Sequence, residues 1–146
     1  MRRSDGSRLD VSTPDPRPIR VVVADDTRDM RLLLSLALEL AGGFEIVAEA
    51  ANGEEAIAAA ATHRPDVVLL DLAMPVLDGL QALPTIRDRA PDALVVVLSG
   101  FGADAMGQEA VRRGAATYVQ KGINPTELAE QLRVLVRNRT ATPDEP

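Results

Sequence analysis

The sequence predicts an α/β protein, a three-layer α/β/α sandwich around a five-stranded parallel sheet. Three observations carry this reading. Short apolar runs rich in β-branched residues (IRVVVA, DVVLL, ALVVVL, ATYVQ) recur along the chain. Runs of this kind read as strands of a parallel sheet buried on both faces. Segments with helical spacing separate them, so that strand and helix alternate five times, and such alternation builds a sheet with helices on both faces. Four of the runs end on a charged or hydroxyl residue: Asp25-Asp26, Asp71, Ser99 and Lys121. Right-handed crossovers and a five-strand count favour the strand order 2-1-3-4-5.

Each element has its own signal. The first strand is read over 19–24. The first helix follows over 28–41, with Met30, Leu33, Leu34, Ala37, Leu38 and Ala41 at helical spacing as its core-facing set. Gly42-Gly43 ends it. The second strand, 44–50, alternates apolar and acidic residues as an edge strand does. An alanine-rich helix follows Asn52-Gly53 and runs to about His63, which is read as a solvated loop residue. The third strand is placed at 66–70 and the loop DLAMPVLDG leads into a helix over 79–89. Asp78-Gly79 serves that turn, and Pro84 sits early in the helix. The fourth strand is placed at 94–98 and the fourth helix at 104–113, where Gly107 costs about 1 kcal/mol relative to Ala. The fifth strand is placed at 117–120. The fifth helix opens with Asn124 as cap, Pro125 in the first turn and Glu127 at the third position, and is expected to end near Arg137.

The bulk numbers bound the function. A chain of 146 residues, 46% hydrophobic, holds one domain with a full core. Residues 1–18 mix charge, Ser and three prolines without periodicity and read as a disordered lead; 19–139 form the domain, and 140–146 read as a frayed tail. Net charge is -6 and no basic stripe is present, which argues against nucleic-acid binding by this chain. There is no cysteine, hence no disulfide framework. No apolar stretch approaches a membrane span, and the two N-terminal arginines are not followed by the apolar segment of a secretory signal. A cytoplasmic protein is the expectation.

The chemistry lies at the strand ends, where open α/β sheets bind ligands. Three acids, a hydroxyl and an amine converging there suit a metal ion and a phosphoryl group. A carboxylate that accepts a phosphoryl group needs cationic shielding, because both groups are anionic. Mg²⁺ (or Mn²⁺) takes hard oxygen ligands, one or two of them carboxylates. Asp26 and Asp71 can supply these, and Asp25 can hold a metal-bound water. Lys121 is the only lysine; the other fifteen Lys/Arg cations are arginine. A solitary lysine in such a composition marks a place that needs a compact ammonium and not a planar fork.

These residues resemble those of a response-regulator receiver domain. The resemblance spans about 19–139 and rests on Asp25-Asp26, Asp71 with Met74-Pro75 and Asp78-Gly79, Ser99, Tyr118 and Lys121. It implies a flavodoxin-like fold and a phosphoacceptor role for Asp71 in a two-component system. The donor is a sensor histidine kinase or phosphotransfer protein. It further implies that the backbone carbonyl of Ala73 joins the metal ligands, and that Ser99 and Tyr118 switch the face made by helix 4, strand 5 and helix 5. Catalysis is then limited to the chain's own phosphorylation and dephosphorylation. Two positions depart from the family pattern: Gly122 follows the lysine where proline is usual, and Gly100 follows Ser99 where alanine is frequent. Phe101 is read as a shield of the phosphoryl group from water. A bland reading of Tyr118 is half-buried strand packing.

Other readings stay open at this point. One is a phosphorylation-independent adaptor or phosphate sink on the same fold. Another is an aspartyl-phosphate phosphatase of the haloacid-dehalogenase kind, although that chemistry wants its nucleophile on the first strand with a second Asp two residues later. The downstream element is either a protein partner or an output domain not contained in this chain. Helix 1 carries a second apolar stripe, Leu32, Leu36 and Leu40, read as a docking face for a phosphotransfer helix or a second copy of the chain. Cover by the N-terminal lead, or a simple excess of leucine, is the alternative.

Overall fold

The computed structural model describes residues 17–100 and 104–141. Ten elements alternate in chain order. They are β1 (Ile19–Ala24), α1 (Arg28–Ala41), β2 (Phe44–Ala50), α2 (Gly53–His63), β3 (Val67–Asp71), α3 (Gly79–Arg89), β4 (Leu94–Ser99), α4 (Asp104–Arg112), β5 (Thr117–Gln120) and α5 (Pro125–Ala141). The sheet is parallel throughout with order β2-β1-β3-β4-β5, the order expected from the sequence.

Alternation along each strand splits the core into two layers. Val22, Ala24, Val68, Leu70, Val95 and Val97 face α2, α3 and α4, where Ala56, Ala60, Leu83, Ile86 and Ala110 meet them. Val21, Val23, Val67, Leu69, Val96 and Leu98 face α1 and α5, and pack on Leu34, Leu38, Leu128 and Leu132. The centre strands are almost fully buried, as a sheet covered on both sides requires. Among the described residues β2 pairs only with β1 and is an edge, and its register slips opposite Val21/Val22.

Several boundaries and faces differ from expectation. Leu33 and Ala41 do not face the core: both are exposed, Leu33 at 56%, while Ser35 is buried instead. The buried stripe of α1 runs through Leu34, Ser35 and Leu38, and Leu33 falls one residue, or about 100°, outside it. β3 runs one residue further than expected and includes Asp71; β4 includes Ser99; α4 stops at Arg112. α5 continues past Arg137 to Ala141. Leu135 and Val136 pack on the α1/α5 layer, and Arg139 pairs with Asp66 at 3.6 Å and donates to the Asp92 carbonyl, so the last turn is held. His63 is the last residue of α2 and half-buried, not a solvated loop residue; its carbonyl accepts from the Arg20 guanidinium at 2.9 Å. Phe101 and most of the N-terminal lead lie outside the described residues.

Candidate functional site

The sheet delivers the site. β1 ends and Asp25 follows, fully buried, its amide donating to the Ala50 carbonyl at 2.9 Å. Asp26 is exposed. β3 ends on Asp71, 1% exposed. β5 ends at Gln120, and the Lys121 amide donates to the Ser99 carbonyl at 3.0 Å, which ties the lysine's backbone to the end of β4. Three parallel strands thus bring residues far apart in sequence to one rim.

The two buried carboxylates are held alike. Asp25 Oδ1 accepts from the Thr27 amide at 2.9 Å, and Asp71 Oδ1 accepts from the Ala73 amide at 3.0 Å. These local turns leave the second oxygen of each for the lysine. Lys121 Nζ donates to Asp71 Oδ2 at 3.0 Å and lies 3.1 Å from Asp25 Oδ2. The second contact is an ion pair without good hydrogen-bond geometry, and Asp25 Oδ2 is a buried oxygen lacking a hydrogen-bond partner among the described residues. Ligand oxygens of Asp25, Asp26 and Asp71 lie within 4.8 Å of one another. Three carboxylates against one ammonium leave excess negative charge in a largely buried rim. A hard divalent cation suits that donor set and would balance the charge that the single ammonium leaves over.

The electrostatics follow from burial and neighbours. Burial pushes the Asp71 carboxyl up, the Lys121 hydrogen bond and the Ala73 amide oppose this, and the nearby Asp25 charge raises it again; the net direction is upward. Burial alone would lower the Lys121 ammonium. Its contacts with Asp71 and Asp25 and their charges more than offset that, and its pKa is raised.

Backbone packing shapes the acceptor loop. Asp78 caps α3 with a reciprocal capping box through Gln81. A Cβ on Gly79 would stand 2.3 Å from the Asp71 carbonyl oxygen, so α3 approaches the acceptor strand only because this residue is glycine. Val76 has φ +68 inside a three-residue turn closed by Leu77 N–H to the Pro75 carbonyl at 2.7 Å. A β-branched residue there is strained. Nothing in the sequence pattern pointed to it.

Ser99 is buried and its hydroxyl has no partner among the described residues. Its side chain shares the α4-facing side of the sheet with Val95 and Val97. Tyr118 packs on that same side, one register step away: Val97 pairs with Tyr118 and Ser99 with Gln120. A Cβ on Gly107 would stand 2.4 Å from Tyr118 Cδ2. Gly107 is therefore more than a weak point in α4, because it makes the seat on which the Tyr118 ring rests. The structure brings together Asp25, Asp26, Asp71 and Lys121, with Ser99 on the adjoining strand. Leu32, Leu36 and Leu40 do not join them; they lie on the open face of α1, 52%, 49% and 86% exposed. Leu33 extends that patch.

Comparison with known proteins agrees with this geometry. Residues 21–133 match the family described as the response regulator receiver domain. The chain belongs to that family. Its receiver domain is 35% identical over 113 residues to the chemotaxis protein CheY of Thermotoga maritima, covering 77% of this chain and 93% of that protein. Among solved structures, the receiver domain of the putative response regulator NarL from Mycobacterium tuberculosis superposes with a TM-score of 0.79 at 33% identity, over 85% of this chain and all of that one. A complex of CheX and CheY with BeF3 and magnesium from Borrelia burgdorferi gives 0.74 at 27% identity, over 82% and 90% of the chains. Receiver domains are signalling modules of bacterial two-component and chemotaxis systems. No described helix of this one is long and apolar enough to cross a membrane.

Proposed function

We propose that this receiver domain is a phospho-accepting switch. Asp71 takes a phosphoryl group from the phosphohistidine of a sensor kinase or phosphotransfer protein, and the face made by α4, β5 and α5 changes for a downstream partner. The observation that carries the reading is a buried Asp71 at a strand end, 3.0 Å from the only lysine, with two further carboxylates within 4.8 Å. The CheY relative from Borrelia burgdorferi, solved with BeF3 and magnesium, supports the same use of the site.

The residues divide the work. An Asp71 oxygen attacks phosphorus in line with the leaving nitrogen; a P–O bond forms as the P–N bond breaks, and the imidazole departs with that electron pair. Lys121 neutralises a phosphoryl oxygen as it leaves its pairing with Asp71. Asp26, Asp71 and the Ala73 carbonyl would hold Mg²⁺, with Asp25 acting through a water. The bound ion supplies charge neutralisation between carboxylate and phosphoryl oxygens. Ser99 would donate its unpartnered hydroxyl to a phosphoryl oxygen, which draws the β4 end inward and alters the room beside Tyr118. We place the reaction in the cytoplasm, where kinase phosphodonors are found.

The test is direct. Incubation with acetyl phosphate and Mg²⁺ should add the mass of one phosphoryl group, and Asp71→Asn should abolish the gain. A full gain in the Asp71→Asn variant moves the acceptor elsewhere. No gain in the wild type favours the adaptor reading.

A further inference from the structure

The ion pair between α1 and the edge strand β2 is not used by the mechanism above. Arg31 stands in the first turns of α1, and its side chain is only 16% exposed. Its Nη1 donates to the backbone carbonyl of Asp25 at 2.7 Å, and its Nε meets Glu49 Oε1 on β2 at 3.1 Å. Glu49 reads from sequence as ordinary edge-strand charge; the structure gives it a partner.

We propose that Arg31, aimed by Glu49, is a positioning residue for metal binding. It sets the direction of Asp26. The inference rests on the metal-dependent reading of the site. The Asp25 carbonyl and the Asp26 amide belong to one planar peptide. Holding the carbonyl therefore fixes where the Asp26 backbone starts. The preceding peptide is already fixed, because the Asp25 amide donates to Ala50. The Asp26 carboxylate itself accepts from no described residue, so its aim depends on this backbone. Glu49 has a second effect. A free guanidinium this near the acid cluster would be drawn onto the metal carboxylates; paired with Glu49, it stays behind the turn and offers its fork to a neutral carbonyl.

At Arg31, charge and position predict opposite signs, which makes the proposal testable there. Removing a cation beside an acidic site should, by charge alone, tighten the binding of a divalent cation. Loss of positioning should weaken it. Outer groups that orient metal ligands are worth roughly 10- to 100-fold in affinity. Mg²⁺ titration of the full chain by calorimetry should show Arg31→Gln weakened about tenfold. Arg31→Lys should recover part of the loss, because an ammonium can reach the carbonyl but lacks the second arm for Glu49. Glu49→Gln should lose affinity in the same direction and to a smaller extent. With acetyl phosphate, the Mg²⁺ concentration giving half-maximal labelling should rise in Arg31→Gln while labelling at saturating Mg²⁺ stays near wild type. Mg²⁺ affinity equal to or tighter than wild type in Arg31→Gln overturns the proposal. If that variant does not fold, the same result in Glu49→Gln overturns it. Wild-type protein whose Mg²⁺ binding is absent, or unmoved by Asp26→Asn, overturns the metal reading itself and this inference with it; intact Asp26 dependence with an indifferent Arg31 overturns this inference alone.

Discussion

Asp71 and Lys121 both lose stability as pH rises, in different pH windows, although they touch. The Asp71 pKa is raised. Between the ordinary carboxylate value and that raised one, the folded chain holds a proton that the unfolded chain has released. Stability from this group is therefore greatest in acid and falls as pH rises through that window, leaving a cost at neutral pH. The Lys121 pKa is also raised, so its contribution is present at neutral pH and is lost only as pH climbs through its folded value. Without divalent metal, Asp71→Asn should then unfold at a higher temperature than wild type at neutral pH, with the gap closing on acidification. Mg²⁺ should stabilise the wild type more than the variant, because a ligand of the folded state adds stability. Thermal melts across pH, with chelator and with Mg²⁺, check both. A variant less stable than wild type at neutral pH would mean that the hydrogen bond to Lys121 outweighs burial. At this scale the sequence was legible where composition singled a residue out. Lys121 is the only lysine, and Asp71 ends an apolar run. Arg31 was not legible, since it is one of fifteen arginines and its role depends on a carbonyl and a strand brought near only by folding.

Among the elements, α4 and α1 show what periodicity misses. The Gly107 position reads in sequence as a propensity cost, and its reason is the Tyr118 ring on another element. Gly107→Ala should improve helix propensity by about 1 kcal/mol yet drive the ring off its seat. Tyr118 is the only tyrosine and there is no tryptophan, so its fluorescence reports the ring alone. Acrylamide quenching should increase in Gly107→Ala; unchanged quenching would show that the helix gives way instead. On α1 the leucines occupy nearly every face, and spacing alone could not choose between Leu33 and Ser35. The choice is made by packing against β2 and α5, which leaves a narrow stripe. Leu32, Leu33, Leu36 and Leu40 remain outside as an apolar patch of the kind a partner helix covers. Leu36→Glu should slow phosphoryl transfer from the cognate kinase severalfold and leave acetyl phosphate labelling intact. Equal kinase rates would remove the docking role.

For the whole molecule, strand order and the position of the site were legible because a parallel sheet turns sequence order into place: each buried run ends on the same rim. What the strand pattern alone did not show is how the rim connects to the outer face. The structure supplies the links. Lys121 touches Asp71 by its ammonium and Ser99 by its amide. Ser99 and Tyr118 share one side of neighbouring strands, and Tyr118 rests on α4 through Gly107. A phosphoryl group that takes Lys121 from Asp71 and engages the Ser99 hydroxyl, which has no partner among the described residues, disturbs this chain at its head. The helix α2 packs on α3, β1 and β2, none of which carries these links. Mg²⁺ with beryllofluoride, a phosphoryl mimic, should therefore shift backbone amide signals of residues 99–121 far more than those of α2, and Asp71→Asn should suppress the effect. Shifts confined to Asp25, Asp26, Asp71 and their immediate neighbours would mean that the site binds the mimic without passing the change to α4 and β5, and a phosphate-sink role would then describe the chain better than a switch.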